Sequence, residues 1–251
     1  MATIAATPAT QSSSARTIPD LRYEHLFFSG MSILMLLTAF FGFARSYYLA
    51  GIFRAPLPSL IIHIHGAAFT CWILLLVAQT SLVAAGRTDI HRKLGIAGFL
   101  LGCAMLVLGV MAGTDNLLRA HDVAGRDPKM FYIVPLTDML LFGTFIYFAF
   151  RNRRTPAAHK RYIFLATTAI LVAAIARLPF AFSLRKNPID GALSDLFLVA
   201  LIAYDLWSTR KIHRATLWSG IFLIIVQQSR IPIGKTALWH SFATWVQTHV
   251  R

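Results

Sequence analysis

Apolar positions dominate the chain from about residue 25 onward, in long runs rather than in the short alternations of a half-buried helix or strand. Seven such runs lie near 25–44, 58–85, 94–113, 131–150, 162–182, 192–207 and 216–234. A helix of about 20 residues crosses the ~30 Å hydrocarbon core of a bilayer. Lipid offers the backbone no hydrogen-bond partner, so a run of this kind satisfies its amides internally, as a helix. The expected fold is therefore an all-α integral membrane bundle, with seven transmembrane helices over residues 23–234. Residues 1–22, rich in Ala, Thr and Ser, are expected to form a disordered cytoplasmic tail. They do not resemble a signal peptide: the first apolar run is too long for an h-region, and no A-x-A site follows it. Residues 235–251 carry Trp239 and Trp245 beside His240 and His249, the pattern of an extracytoplasmic interfacial helix rather than an eighth span.

Composition supports lipid as the solvent. Of the 251 residues 57% are apolar and 14% charged, whereas a soluble domain is about a quarter charged. The formal net charge of +14 does not indicate nucleic acid, because the cations sit between apolar runs and not along a polar face. Their distribution predicts orientation instead. Loops 86–93, 151–161 and 208–215 hold eleven Lys/Arg and one acid, while the opposite loops 45–57, 114–130 and 183–191 hold seven against four. The positive-inside rule puts the first set and the N-terminus in the cytoplasm. Cys71 and Cys103 lie inside apolar runs without disulfide or metal-ligand spacing. In the third run Gly98/Gly102 and Gly109/Gly113 are small-x-x-x-small pairs, a signal of close helix packing.

The last four runs contain an internal repeat. PLTDMLLF in the fourth matches ALSDLFLV in the sixth, placing Asp138 and Asp195 alike. Basic turns with His159 and His213 follow, and the return runs end in Arg177-Leu178-Pro179 and Arg230-Ile231-Pro232. Spans 4–5 and 6–7 thus read as two copies of one hairpin. Spans 2–3, with His63 and His65 at entry, His91 at the turn and Thr114-Asp115-Asn116 at exit, share the layout as a candidate third copy. Membrane carriers often place sites at such repeat interfaces.

In this arrangement His63, His65, Asp138, Asp195, Asp115, Arg177, Arg230 and Arg45 collect in the outer part of the bundle. Ionisable groups at membrane depth are functional candidates by default. The same groups also admit a purely structural role, in which Asp138 and Asp195 pair with Arg177 and Arg230 to lock helices together. His63 and His65 differ by about 200° around a helix, so they do not chelate one ion together. His65, Trp72 and Gln79 recur every seven residues, a stripe expected to face the interior. The candidate ligand-binding set is therefore His65, Asp138, Arg177, Asp195 and Arg230, with His63, Trp72 and Gln79 beside them. On the cytoplasmic side His91, His159 and His213 are weak metal candidates, since imidazole nitrogens suit transition metals but each has a Lys or Arg neighbour. His121 and His240 are expected to be solvated.

The segments HIHG…W…Q…L…GR…HRKLG, D…R…HKR…LAT…ARLP and DLW…R…H…LW…QQSR resemble an uncharacterised family of bacterial polytopic membrane proteins. That resemblance covers nearly the whole chain after residue 22 and implies an inner-membrane location. The HR-x-LG turn is similar to one in transmembrane di-haem cytochromes of the b type, which implies haem b ligated by paired histidines. The expected function is a membrane protein with a polar His/Asp/Arg site in its outer half, serving redox chemistry with haem or a quinone. The alternatives are a carrier or receptor for a small anionic or lipid-like ligand, and a structural or assembly subunit.

Overall fold

The computed structural model describes residues 18–56, 58–119, 127–178 and 189–250. Its described residues form helices and connecting turns. Helix α1 (Ile18–Phe43) runs into a π-helical turn, Ala44–Tyr48, and the short α2 (Ala50–Phe53). There follow α3 (Leu60–Ala84), α4 (Thr88–Leu118), the single turn α5 (Pro128–Phe131), α6 (Ile133–Arg151) and α7 (Pro156–Ile175). Helices α8 (Ile189–Thr209), α9 (Arg214–Gly234) and α10 (Ala237–His249) complete the chain. Each of the seven apolar runs overlaps a helix, although the fifth runs past the end of α7 at Ile175 and its positions 179–182 lie outside the described residues. The helix α1 begins at Ile18, so the stretch read as disordered through residue 22 is helical in its last five positions; residues 1–17 lie outside the described residues.

Among the described residues five helical stretches are long and apolar enough to cross a membrane: Leu21–Tyr48, Leu60–Ala84, Thr88–Leu118, Pro128–Arg151 and Pro156–Ile175. Large apolar side chains cover their outside. On α4, Ile96, Leu100 and Val107 are each more than 60% exposed, a face that only lipid or another apolar surface can match. These features are those of a membrane protein. Helices α8 and α9 are as long, but Asp195 and Asp205 interrupt one, and Gln227, Gln228 and Arg230 the other.

Contacts between neighbouring helix ends show the long helices running alternately between two ends of the bundle. At one end Lys160 pairs with Glu24 at 2.5 Å and Arg161 with Asp205. At the other, Ser59 donates to Asp115, and Arg230 meets Asp138. Helix α7 is central: two thirds of its most apolar stretch is buried, against 17% for α1 and α3. Phe142, Phe145, Leu165, Leu201 and Leu223 form a closely filled centre. The glycines of α4 do what their spacing suggests. A Cβ on Gly109 would collide with Met139, and one on Gly113 with Pro135, so α4 lies close against α6. The closest approach to main chain was not signalled by a repeat: a Cβ on Gly42 would fall on the backbone carbonyl of Ala174, joining α1 to α7 main chain to main chain.

The C-terminal segment is a docked helix. Trp239 Nε1 donates to the Lys129 carbonyl at 2.8 Å, and Gln247 to that of Leu117 at 3.0 Å. Its other side exposes Leu238 and Trp245.

Candidate functional site

Helix α6 carries Asp138 and α9 carries Arg230, and their side chains meet in the interior. Arg230 Nη2 donates to Asp138 Oδ1 at 2.5 Å, with both side chains under 10% exposed. This corrects the pairing expected from the sequence, Asp138 with Arg177 and Asp195 with Arg230. The physical reason is lateral packing: α9 lies against both α6 and α7, so the bundle joins charges across the two hairpins instead of within each. Asp195 comes close enough to feel the charge of Arg230, yet its Oδ1 is buried without a hydrogen-bond partner. Gln227 Nε2 reaches Ser194 Oγ at 3.4 Å. Arg230 Nε and Gln227 Oε1 are also buried and unpartnered. Buried polar atoms are ordinarily paired with protein or water, so this cluster stands out for its unpartnered atoms.

A second part of the layer lies between α1, α3, α4 and α7. The His65 ring packs on Phe69, 4.1 Å between centres, with Nδ1 buried and unpartnered. The Leu108 backbone and the charge of Arg177 are its polar surroundings. Arg177 stands just beyond the end of α7. Its Nη1 donates to the Ala173 carbonyl at 2.6 Å and its guanidinium lies 4.8 Å from the centre of the Phe43 ring. No acid lies within ion-pairing distance of it among the described residues. His63 turns elsewhere, toward Tyr47, whose hydroxyl donates to the His63 carbonyl at 3.2 Å. Trp72 separates this region from the centre. Its indole donates to Thr167 Oγ1 at 3.2 Å, and its ring meets Phe142 edge to face. Gln79, the third member of the stripe, lies at the other end of α3 and donates to the His91 carbonyl at 3.3 Å.

The remaining charged groups toward the end of the bundle that holds Asp138 and Arg230 are satisfied locally. Asp115 accepts from Arg119 at 2.9 Å and from Ser59 at 3.0 Å. The Arg45 guanidinium covers Phe53. His240 is not merely solvated, because it lies 3.6 Å from Asp127. His121 and Pro179 fall outside the described residues.

At the basic end the structure adds a centre that sequence reasoning missed. Asp205 is fully buried and accepts from Arg161 Nε at 2.9 Å and Arg161 Nη2 at 2.5 Å. Its other oxygen accepts from the His213 amide at 3.0 Å and the Thr216 hydroxyl at 2.6 Å. The available signal was an aspartate near the end of an apolar run, where a carboxylate needs a buried partner. His213 itself caps α9, its Nδ1 accepting from the Ala215 amide at 3.0 Å. Its lone pair is therefore committed, and the three candidate metal histidines do not form one set. Among the described residues no group of three or more His, Cys, Asp or Glu side chains could hold a metal ion.

Capping by a neutral imidazole makes a pH prediction. Burial first, and then the charge of Arg161 and Lys160 against the opposing Asp205, hold His213 below its ordinary value of 6.5. A histidine depressed on folding leaves stability intact above the unfolded value and removes it as pH falls through the folded one. Stability should therefore decline below about pH 6.5, and His213→Ser, which can still cap, should show a shallower decline in thermal melts between pH 7 and pH 5.

No protein-family model, curated protein or solved structure matches the chain.

Proposed function

We propose that the chain is a seven-span inner-membrane protein with its N-terminus in the cytoplasm, and that its outer polar layer binds a small amphiphile through an acceptor oxygen. The seven helical runs, the charge imbalance between loops and the hairpin repeat support this arrangement. Helices α8 and α9 then span because their charges are matched inside the bundle, where intramembrane ions face one another and not lipid. The observation that carries the ligand reading is the Arg177 guanidinium, which meets no described acid and whose charge reaches His65, the ring whose Nδ1 is buried without a partner. Arginine is suited to a carboxylate or phosphate oxygen, and His65 Nδ1 could complete the contact as a second donor.

A ligand that fits these groups has a polar oxygen and an apolar body. A quinone headgroup would make the protein part of membrane redox chemistry, whereas a lipid-like carboxylate would make it a carrier or receptor. A haem held by two imidazoles suits the layer less well: His63 turns to Tyr47 and the other described histidines lie at the basic end or in α10. Thermal-shift measurements with duroquinone and with decanoate test the reading. One of the two should raise the melting temperature of the wild type, and Arg177→Ala should abolish the shift while leaving a cooperative transition. No shift with either compound, or a shift unchanged in Arg177→Ala, overturns it.

The closed Asp138–Arg230 and Arg161–Asp205 pairs favour a second reading, a structural or assembly subunit whose charges only fix helix packing. A ligand shift that depends on Arg177 would argue against it, because Arg177 belongs to neither pair.

A further inference from the structure

The basic end contains an arrangement unconnected with the outer layer. His91 and His159 are each the fourth residue of their helices, α4 and α7. Their ring centres are 6.3 Å apart and their planes nearly perpendicular. His159 Nδ1 lies 2.9 Å from the Ala149 carbonyl. A carbonyl only accepts, so Nδ1 carries the proton and Nε2 keeps its lone pair, the state in which a metal-bound imidazole is commonly fixed by an outer carbonyl. His91 Nδ1 and Gln79 Oε1 are both buried without a hydrogen-bond partner. The Gln79 amide nitrogen is tied to the His91 carbonyl, which holds this side chain beside His91.

Distance and charge narrow what could join these atoms. A metal sits about 2.0–2.1 Å from an imidazole nitrogen, hence about 3 Å from the ring centre, so a ring-centre separation of 6.3 Å matches the spacing of two imidazoles that share one ion. The donors are neutral and include no carboxylate, while Arg92 and Lys93 follow His91 in sequence. A monovalent ion needs the least compensating charge in such a setting. We propose that His91 and His159, supported by Gln79, bind one cuprous ion at the cytoplasmic edge of the bundle.

The test uses the full-length protein in detergent under anaerobic conditions, titrated with Cu(I) against bathocuproine disulfonate. One equivalent should bind, and X-ray absorption at the copper edge should show two imidazole nitrogens at about 2 Å. His91→Gln and His159→Gln, each still giving a cooperative melt, should weaken binding by at least about tenfold. Three results would overturn the proposal: no copper retained by the wild type, copper bound equally well by either folded variant, or an absorption spectrum dominated by sulfur ligands. The wild-type spectrum decides the matter if a variant fails to fold. An Arg177→Ala protein should bind copper normally, which separates this site from the outer layer.

Discussion

Replacing Asp138 with alanine is expected to destabilise the protein by about 3–5 kcal/mol, the cost of leaving a buried charge without its partner. Arg230 is 6% exposed and its guanidinium has Asp138 as its acid at hydrogen-bond distance. The carboxylate of Asp195 is an available substitute, since the same charge acts on it. An Asp138→Ala/Asp195→Asn protein should therefore lose more than the sum of the two single losses. The opposite result is expected when both charges are removed. Asp138→Leu with Arg230→Met replaces an ion pair by apolar volume, a change that is often neutral or stabilising. Thermal unfolding of the wild type, the Asp138→Ala and Asp195→Asn single mutants and their double mutant in one detergent measures that coupling directly, and the same assay ranks Asp138→Leu/Arg230→Met. If Asp138→Ala melts with the wild type, the pair is not the interior anchor that its geometry indicates.

Asp205→Ala should be the other severe substitution, by at least about 3 kcal/mol. Four donors converge on this carboxylate, and alanine would strand all of them. Arg161, 2% exposed, would keep only its bond to the Ala157 carbonyl among those described. Removing one donor is a milder change: Thr216→Val should cost about 1 kcal/mol, the usual net worth of one hydrogen bond. Asp205→Asn should fall between them, because an amide presents one acceptor oxygen and turns its NH2 toward groups that also donate. The ranking alanine, asparagine, then Thr216→Val in unfolding experiments tests Asp205 as the centre of this network. Equal losses for all three would refute it.

The helices were legible in the sequence because lipid permits few alternatives to a long apolar run. That Asp138 and Arg230 lie at one end of the bundle was legible too, since position along a helix fixes depth. The partner of each charge was not. Which acid faces which base depends on the rotation of each helix and on its lateral neighbours, and neither follows from position along the chain. Asp138 thus finds Arg230 instead of Arg177, its counterpart in the same hairpin. The Asp205 network was hidden for the same reason, with Arg161 reading as one more loop cation. The contact between Gly42 and Ala174 shows another limit. A single glycine in an apolar run carries no periodic signal, although it sets how near α1 comes to the central helix.

Both interior ion pairs join the α6–α7 hairpin to the α8–α9 hairpin, one at each end of the bundle. During synthesis the first hairpin emerges with Asp138 and Arg161 lacking their partners, and about 50 further residues must follow before Arg230 is available. For the proposed seven-span arrangement this predicts a waiting step in biogenesis, in which α6 and α7 stay beside the insertion machinery or another hydrated shelter until the second hairpin arrives. A chain ending after residue 178 should accordingly be removed by membrane quality control, however hydrophobic its segments are.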